Sequence, residues 1–344
     1  YLRTERNSPR AVNQRFCTGT SSLRTCDTNE AWTADRTIDF ISESSEPFFA
    51  WCTFERPHAP HMPPPDTPVK YDPGKLTIPP YDPKYFESKP NHARAGCENL
   101  WKAWVLGEPA LRNGLAHYYA LMSLIDQQVG RMVQCLEKSG KLDNTIIIFT
   151  ADHGDFAGTH GMLGKNTSTY DAVTRTPYIW YWKDRFDRNM PFDLCETIDL
   201  YPTLCDIIGI ETPPSIQGAS HRNALTDLPY FRGKDYVFSE RILTKTVRSR
   251  THKLSITTSG LRHIGELYDL VEDPDENRNI YNNAEHAHIK AKLLEELAAW
   301  YIRTEQPCYF APSSQETSGE LRWHNHFANL KKKPAGADTE KPPD

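Results

Sequence analysis

Apolar residues recur at three- and four-residue steps through Leu111, Leu115, Tyr118, Met122, Ile125, Val129, Met132 and Leu136, with polar residues between them. That period predicts a long amphipathic helix over 111–137, and Gly140 stands where a C-terminal cap belongs. After a short turn, Thr145-Ile-Ile-Ile-Phe-Thr150 is almost wholly β-branched and predicts a strand buried on both faces. Helix, tight connection and strand make an α/β unit. The aromatic-rich run 47–54 predicts another buried strand, and 177–182 a further one. A shorter helix is predicted over 33–42, capped by Thr33, with Ile38 and Ile41 on one face. Another spans 197–208, with Pro202 interrupting it near its start.

The pattern changes near Leu228. Strand-like runs at 236–239, 253–257 and 266–270 lead to a turn at Asp273-Pro-Asp, and a helix follows over 284–303. The expected organisation is an α/β domain over 1–227, a smaller α+β domain over 228–310 and a flexible Lys/Pro/Ser-rich tail over 311–344. Between Pro57 and Pro90 prolines exclude helix and central strand, so a long ordered loop is expected, and such loops usually serve binding or catalysis. Trp101 and Trp104 follow it, as core packing or as part of a specificity pocket.

Composition narrows the class. With 344 residues, 38% hydrophobic, 25% charged and a net charge of −5, the chain reads as a globular protein with no bias toward nucleic acid. No run reaches the ~20 apolar residues of a membrane span. The first residue is Tyr1 and no signal-like segment follows, so the compartment is not legible there; a fragment or a processed chain is expected. None of the eight cysteines forms a Cys-x-x-Cys pair, which speaks against a zinc knuckle or redox pair, and Cys17 and Cys26 are as well read as thiols as a bridge. The sequon at Asn166 is expected to be unused, because it lies inside the segment that carries chemistry.

That segment follows the Ile-rich strand: Thr150-Ala-Asp152-His153-Gly154-Asp155, then His160-Gly-Met-Leu-Gly-Lys165. Ligands of open α/β sheets bind beyond the C-terminal ends of strands. There Asp152 and His153 can ligate a divalent cation, Gly154 lets the chain turn close to the site, and Lys165 can approach an anionic oxygen. Asp-His-Gly alone is no better than a solvated loop in which Asp152 caps a turn; strand placement and the downstream Gly-Lys make the reading specific. A second constellation is Arg56-Pro-His58-Ala-Pro-His61, where flanking prolines predict an extended backbone at His58. An imidazole there can protonate a leaving oxygen. For His61 a structural role is the better reading.

These residues resemble the sulfatase family of the alkaline phosphatase superfamily. Asp152–Lys165 with Thr174-Arg-Thr-Pro177 is similar to the family's metal-and-lysine segment, and Arg56-Pro-His58-Ala-Pro to its Pro-His-x-Pro segment. Thr197-Ile-Asp-Leu-Tyr-Pro-Thr-Leu with Gln217-Gly218, and Glu266-Leu-Tyr-Asp-Leu with Asp273-Pro-Asp-Glu and Asn279, resemble two further family stretches in the family's order. The resemblance implies an α/β fold with a central, mostly parallel sheet, helices on both faces and a smaller C-terminal α+β domain. It implies a sulfuric ester hydrolase, with Ca²⁺ or Mg²⁺ on Asp152 and His153, Lys165 on the sulfate oxygens, His58 assisting the leaving alcohol, and His160 beside the substrate. Substrates would be sulfate esters or sulfated glycans, and family members are often periplasmic, secreted or lysosomal. The family's nucleophile is a formylglycine made from Cys or Ser in Cys/Ser-x-Pro/Ala-x-Arg. No Cys or Ser of this chain starts that motif; Cys52-Thr-Phe-Glu-Arg56 has Phe54 at the Pro/Ala position. The family's paired N-terminal aspartates are absent too. Missing N-terminal sequence and negligible turnover of the chain alone are therefore expected. The alternatives are a phosphonate or phosphate ester hydrolase of the same superfamily, a non-catalytic binder of sulfated glycans, and a two-zinc phosphodiesterase built on His58, His61 and His153.

Overall fold

A computed structural model describes residues 18–80, 107–165, 168–186, 193–226, 233–241, 243–259 and 262–305, with Asp82, Lys84, Lys89 and Arg188. The expectations for Cys17, Trp101, Trp104, the Asn166 sequon and the tail 311–344 lie outside the described residues.

Helix α1 spans Asn29–Glu43 and begins ahead of Thr33, because Thr28 caps it: the Thr28 hydroxyl accepts the Ala31 N–H at 3.2 Å. Helix α2 spans Glu108–Lys138, with Pro109 in its first turn. Its buried stripe runs through Leu111, Leu115, Leu121, Leu124, Ile125 and Leu136, so the packed face turns toward Leu121 and Leu124 and leaves Met122 exposed. Gly140 takes the left-handed conformation past its end, and Lys141 N donates to Leu136 O at 2.9 Å. The Lys141 ammonium then reaches α1, donating to Ile41 O and, at 2.8 Å, to Ser44 O, so a cation sits on carbonyls at that helix's end.

Strand β1, Ile147–Thr150, pairs antiparallel with β2, Tyr178–Tyr181. The single turns α3, Asp171–Thr174, and α5, Arg222–Thr226, flank α4, Leu200–Ile208. Pro202 does not interrupt α4: it lies in the first turn, where its missing N–H has no intrahelical partner to lose, and a capping box of Glu196 and Asp199 starts the preceding 3₁₀ turn.

Two strand expectations change. The β1 strand is not buried on both faces: its Phe149 is exposed, and the facing Ile179 is 57% exposed. Only β2 pairs with it among the described residues, and nothing described covers that face. Residues 47–54 have no helix and no ladder pairing among the described residues. Trp51 is 74% exposed, while Phe48 packs edge-on against Phe40 of α1, ring centroids 5.6 Å apart.

The C-terminal strands β3, Val237–Arg241, β4, Thr244–Arg248, β5, His252–Ser259, and β6, Arg262–Asp269, form an antiparallel meander. Register places Val247, Leu254 and Leu267 in one row, packed on Leu293 and Leu297 of α6, Ala287–Glu305. The opposite face carries the rows Thr246–Ser255–Glu266 and Arg248–Lys253–Tyr268. It is polar yet buried, because the segment 168–171 lies on it: Thr169 Oγ1 is 2.6 Å from Thr246 Oγ1, and Tyr170 OH donates to Glu266 at 2.7 Å. The architecture is thus α/β followed by an α+β unit; both described sheets are antiparallel, and a bridge between Thr18 and His61 is parallel.

Candidate active site

The segment after β1 is shaped by close approach. Gly154 donates to Val173 O at 2.7 Å, and a Cβ at Gly154 would lie 2.2 Å from Ala172 O. Gly154 is therefore required by backbone contact with α3 more than by a sharp turn. Residues 157–164 coil tightly, with Ala157, Gly158, His160, Gly161 and Gly164 all at positive φ. Asp155 clasps both ends of the coil: its Oδ1 accepts Ala157 N at 2.8 Å and Gly164 N at 3.1 Å. That clasp returns Lys165 to the start of the segment.

There Lys165 Nζ lies 2.7 Å from His153 Nε2. His153 Nδ1 faces Gly154 O at 2.8 Å, so the ring proton belongs on Nδ1 and Nε2 accepts from the ammonium. Asp152 Oδ1 accepts His153 N at 3.0 Å, and its Oδ2 stands 3.5 Å from His153 Nε2, on a side chain that is 87% exposed. Asp152, His153 and Lys165, three of the five expected site residues, thus meet at one solvent-facing point.

His58 lies near enough to this segment for its charge to act on Asp155. It sits in a turn, not in the extended conformation expected: Pro57 has no N–H, and the Glu55 carbonyl takes the His58 N–H at 3.2 Å. His58 Nδ1 faces Ala59 O at 2.8 Å, which leaves Nε2 outward. The charges of His153 and His58 both act on Asp155, whose carboxyl burial nevertheless pushes above its ordinary value, with the Ala157 and Gly164 amides and the two imidazoles opposing. His58 also lines a pocket with Ser21, Thr28, Glu30, Arg56 and Met62.

The other two histidines are drawn elsewhere. His61 packs edge-on against Tyr118, ring centroids 5.3 Å apart, and burial, with Arg56 next, lowers it to about 4. His160 is 3% exposed and lies against Tyr170, ring centroids 4.5 Å apart. Burial first, then Lys89 and Lys253, lowers it to about 3. The structure does not bring His160 to the Lys165 face: its ring packs against Phe156 and Tyr170 under the C-terminal sheet. Asp155 has no assigned role in the sequence; it stands in the motif, and its short spacing to the glycines is its signal, while Tyr118, read as an apolar position of α2, also packs on His61.

Asp152 and His153 offer one oxygen and one nitrogen, and among the described residues no three His, Cys, Asp or Glu side chains converge on a metal position. The pair fits one edge of a coordination shell; a hard cation needs about six to eight oxygens, so further donors are required.

The sulfatase family profile matches residues 8–210, and the profile for the C-terminal part of N-sulphoglucosamine sulphohydrolase matches 158–302. The chain belongs to the sulfatase family. It is 30% identical to an arylsulfatase of Clostridium perfringens over 77% of this chain and 57% of that protein. It is 31% identical to an N-acetylglucosamine-6-O-sulfatase of Bacteroides thetaiotaomicron over 52% of this chain and 34% of that one. Among solved structures, a phosphonate monoester hydrolase from Silicibacter pomeroyi aligns at TM-score 0.72 and 25% identity, over 83% of this chain and 62% of that chain. The chain therefore spans little more than half the length of the arylsulfatase it matches. Sulfatases are generally metal-dependent.

Proposed function

We propose that the chain forms part of a sulfuric ester hydrolase, binding the sulfate group between Lys165 and His58. The observation that carries this is the Lys165–His153 contact at 2.7 Å with Asp152 Oδ2 3.5 Å from the same nitrogen. A substrate oxygen arriving there takes the ammonium as a charge-assisted donor. His58, its Nδ1 engaged by Ala59 O, presents Nε2 to carry a proton to the departing alkoxide. Asp152, and His153 once the Lys165 ammonium has moved from Nε2 to the substrate, would hold Ca²⁺ or Mg²⁺, which when bound supplies positive charge to the oxygens of the transferring group. The substrate class that fits is an aryl or sugar sulfate: one structural relative, 26% identical with TM-score 0.51, is described in complex with D-glucosamine-2-N,6-O-disulfate. A phosphonate or phosphate ester is the second reading, supported by the likeness to the phosphonate monoester hydrolase.

Calorimetric titration of inorganic sulfate and methylphosphonate, with and without Ca²⁺, tests this on the purified chain. Lys165→Met and His58→Ala should each weaken sulfate binding several-fold, and Asp152→Asn should remove its Ca²⁺ dependence. Sulfate binding indifferent to all three substitutions sinks the reading, and a clear preference for the phosphonate moves it to the second. The chain carries no Cys/Ser-x-Pro/Ala-x-Arg nucleophile motif. Since loss of a nucleophile costs about a million-fold in covalent hydrolases, aryl sulfate turnover by this chain should not exceed the buffer rate.

A further inference from the structure

The turn that carries His58 is poor in donors, because Pro57 and Pro60 have no N–H. Arg56 supplies one: its Nη1 donates to Pro60 O at 2.5 Å and closes the turn 56–60 across His58. The Met62 N–H gives the same carbonyl a second donor at 3.0 Å. Ala59 O belongs to the peptide unit that ends at Pro60 N, so this closure also fixes the oxygen that His58 Nδ1 faces at 2.8 Å. The Arg56 side chain is only 18% exposed, and a charge so placed calls for a counter-charge. Glu30 provides it: its carboxylate stands 3.8 Å from Arg56 Nε, on a side chain that is 3% exposed. That separation makes an ion pair and not a hydrogen bond. Glu30 lies in the first turn of α1, where the helix N-terminus favours an anion. Glu30, Arg56 and His58 line one pocket with Leu121 and Leu124 of α2.

We propose that Glu30, acting through Arg56, is a positioning residue for His58. It holds the guanidinium between α1 and the Pro60 carbonyl. The closed turn keeps the Ala59 carbonyl on His58 Nδ1, so the ring proton stays there and Nε2 points outward. A neutral imidazole free in water carries its proton mostly on Nε2, so the fold has to hold the other tautomer. Lysine at 56 would not serve, since a single ammonium cannot offer one edge to Glu30 and a separate donor to Pro60. A neutral residue at 30 removes the buried carboxylate that faces Arg56, and the guanidinium then swings toward water and releases Pro60 O. The same pairing accounts for an acidic residue buried at the start of α1, which packing alone disfavours. The inference rests on the reading of His58 as the group that carries a proton to the departing alkoxide.

The tautomer is read by long-range proton–nitrogen correlation on the chain with isotope-labelled histidine, without sulfate, in alkaline buffer where an ordinary imidazole is neutral. His58→Gln identifies the signal. The native chain should show a protonated Nδ1 and a bare Nε2 at His58. Glu30→Gln and Arg56→Lys should each make the Nε2–H form the major one, with far-ultraviolet circular dichroism confirming that the variants remain folded. Asp35→Asn removes another carboxylate of α1, the partner of Arg131 at 2.5 Å, and should leave the tautomer unchanged. A native His58 already protonated on Nε2, a tautomer unmoved in either folded variant, or an equal shift in Asp35→Asn overturns the inference. Should Glu30→Gln fail to fold, Arg56→Lys decides alone. Sulfate titration separates this result from the proposed function. A several-fold loss of binding in both Glu30→Gln and His58→Ala supports the two together. A shifted tautomer with sulfate binding weakened in neither sinks the proposed function and leaves the positioning role standing.

Discussion

The two histidines that burial neutralises show how a side chain's surroundings override its type. His61 has an ordinary value near 6.5 when unfolded and about 4 when folded, because burial and the nearby Arg56 both oppose its charge. Below pH 6.5 the unfolded chain therefore binds a proton that the folded chain does not, so stability falls as pH drops toward 4. Between pH 7 and pH 5 this one group should cost about 2 kcal/mol. Urea unfolding of the native chain and of His61→Gln at both pH values checks it: the variant should lose that much less, and equal losses would show that His61 is solvated. The residues of the candidate site divide in the same way by what the sequence makes visible. Asp152, His153 and Lys165 were legible because a strand end and a short Gly-rich coil bring near neighbours together. His160 carries the same side chain as His153, but it packs inward against Phe156 and Tyr170, and nothing in the local pattern announces that. Asp155 matters through two backbone amides, a role that only the folded coil displays.

At the scale of elements, helices were read well and strands less so. The 3.6 period of α2 and its Gly140 cap are local properties, so its limits fall close to expectation. Strand burial depends on what lies across the sheet, which is why β1 reads as buried and is not. The C-terminal meander shows the same dependence: its polar face is buried because the segment 168–171 lies on it. Lys253, at the centre of that face, pairs with Asp171 at 2.9 Å and Glu276 at 2.8 Å, and Arg248 pairs with Asp171 at 3.2 Å. Glu276 also accepts Asp171 N at 2.6 Å, so the charges fix the single turn that starts at Asp171 onto the sheet. Removing one partner of a buried ion pair leaves the other uncompensated. Lys253→Met should cost about 3–5 kcal/mol in chemical denaturation, and Lys253→Met with Glu276→Gln should recover part of it. A loss below about 1 kcal/mol would mean that the apolar packing on α6 alone holds this sheet.

Across the whole molecule, the uneven distribution of apolar side chains has a consequence in solution. In the β1–β2 ladder the register puts Ile147, Phe149, Ile179 and Tyr181 on one face, and Phe149, Ile179 and Tyr181 are exposed. Phe49 and Trp51 on the extended segment 47–54 are exposed as well, as are Ile208 and Ile210 at the end of α4. Monomeric proteins rarely show contiguous apolar patches beyond a few hundred Å², and a net charge of −5 spread over 344 residues offers weak repulsion against association. Among the described residues the two-stranded ladder has no further strand partner, so beside the apolar face it offers both contacts that strand-to-strand association uses. The chain should therefore self-associate as its concentration rises, visible as an increasing weight-average mass in sedimentation velocity. Phe149→Thr with Ile179→Thr keeps β-branched residues in the ladder and should shift association to higher concentration by about tenfold or more, an effect of roughly 1–2 kcal/mol for two large side chains. An unchanged association profile would place the adhesive surface elsewhere, with Trp51 the next side chain to replace.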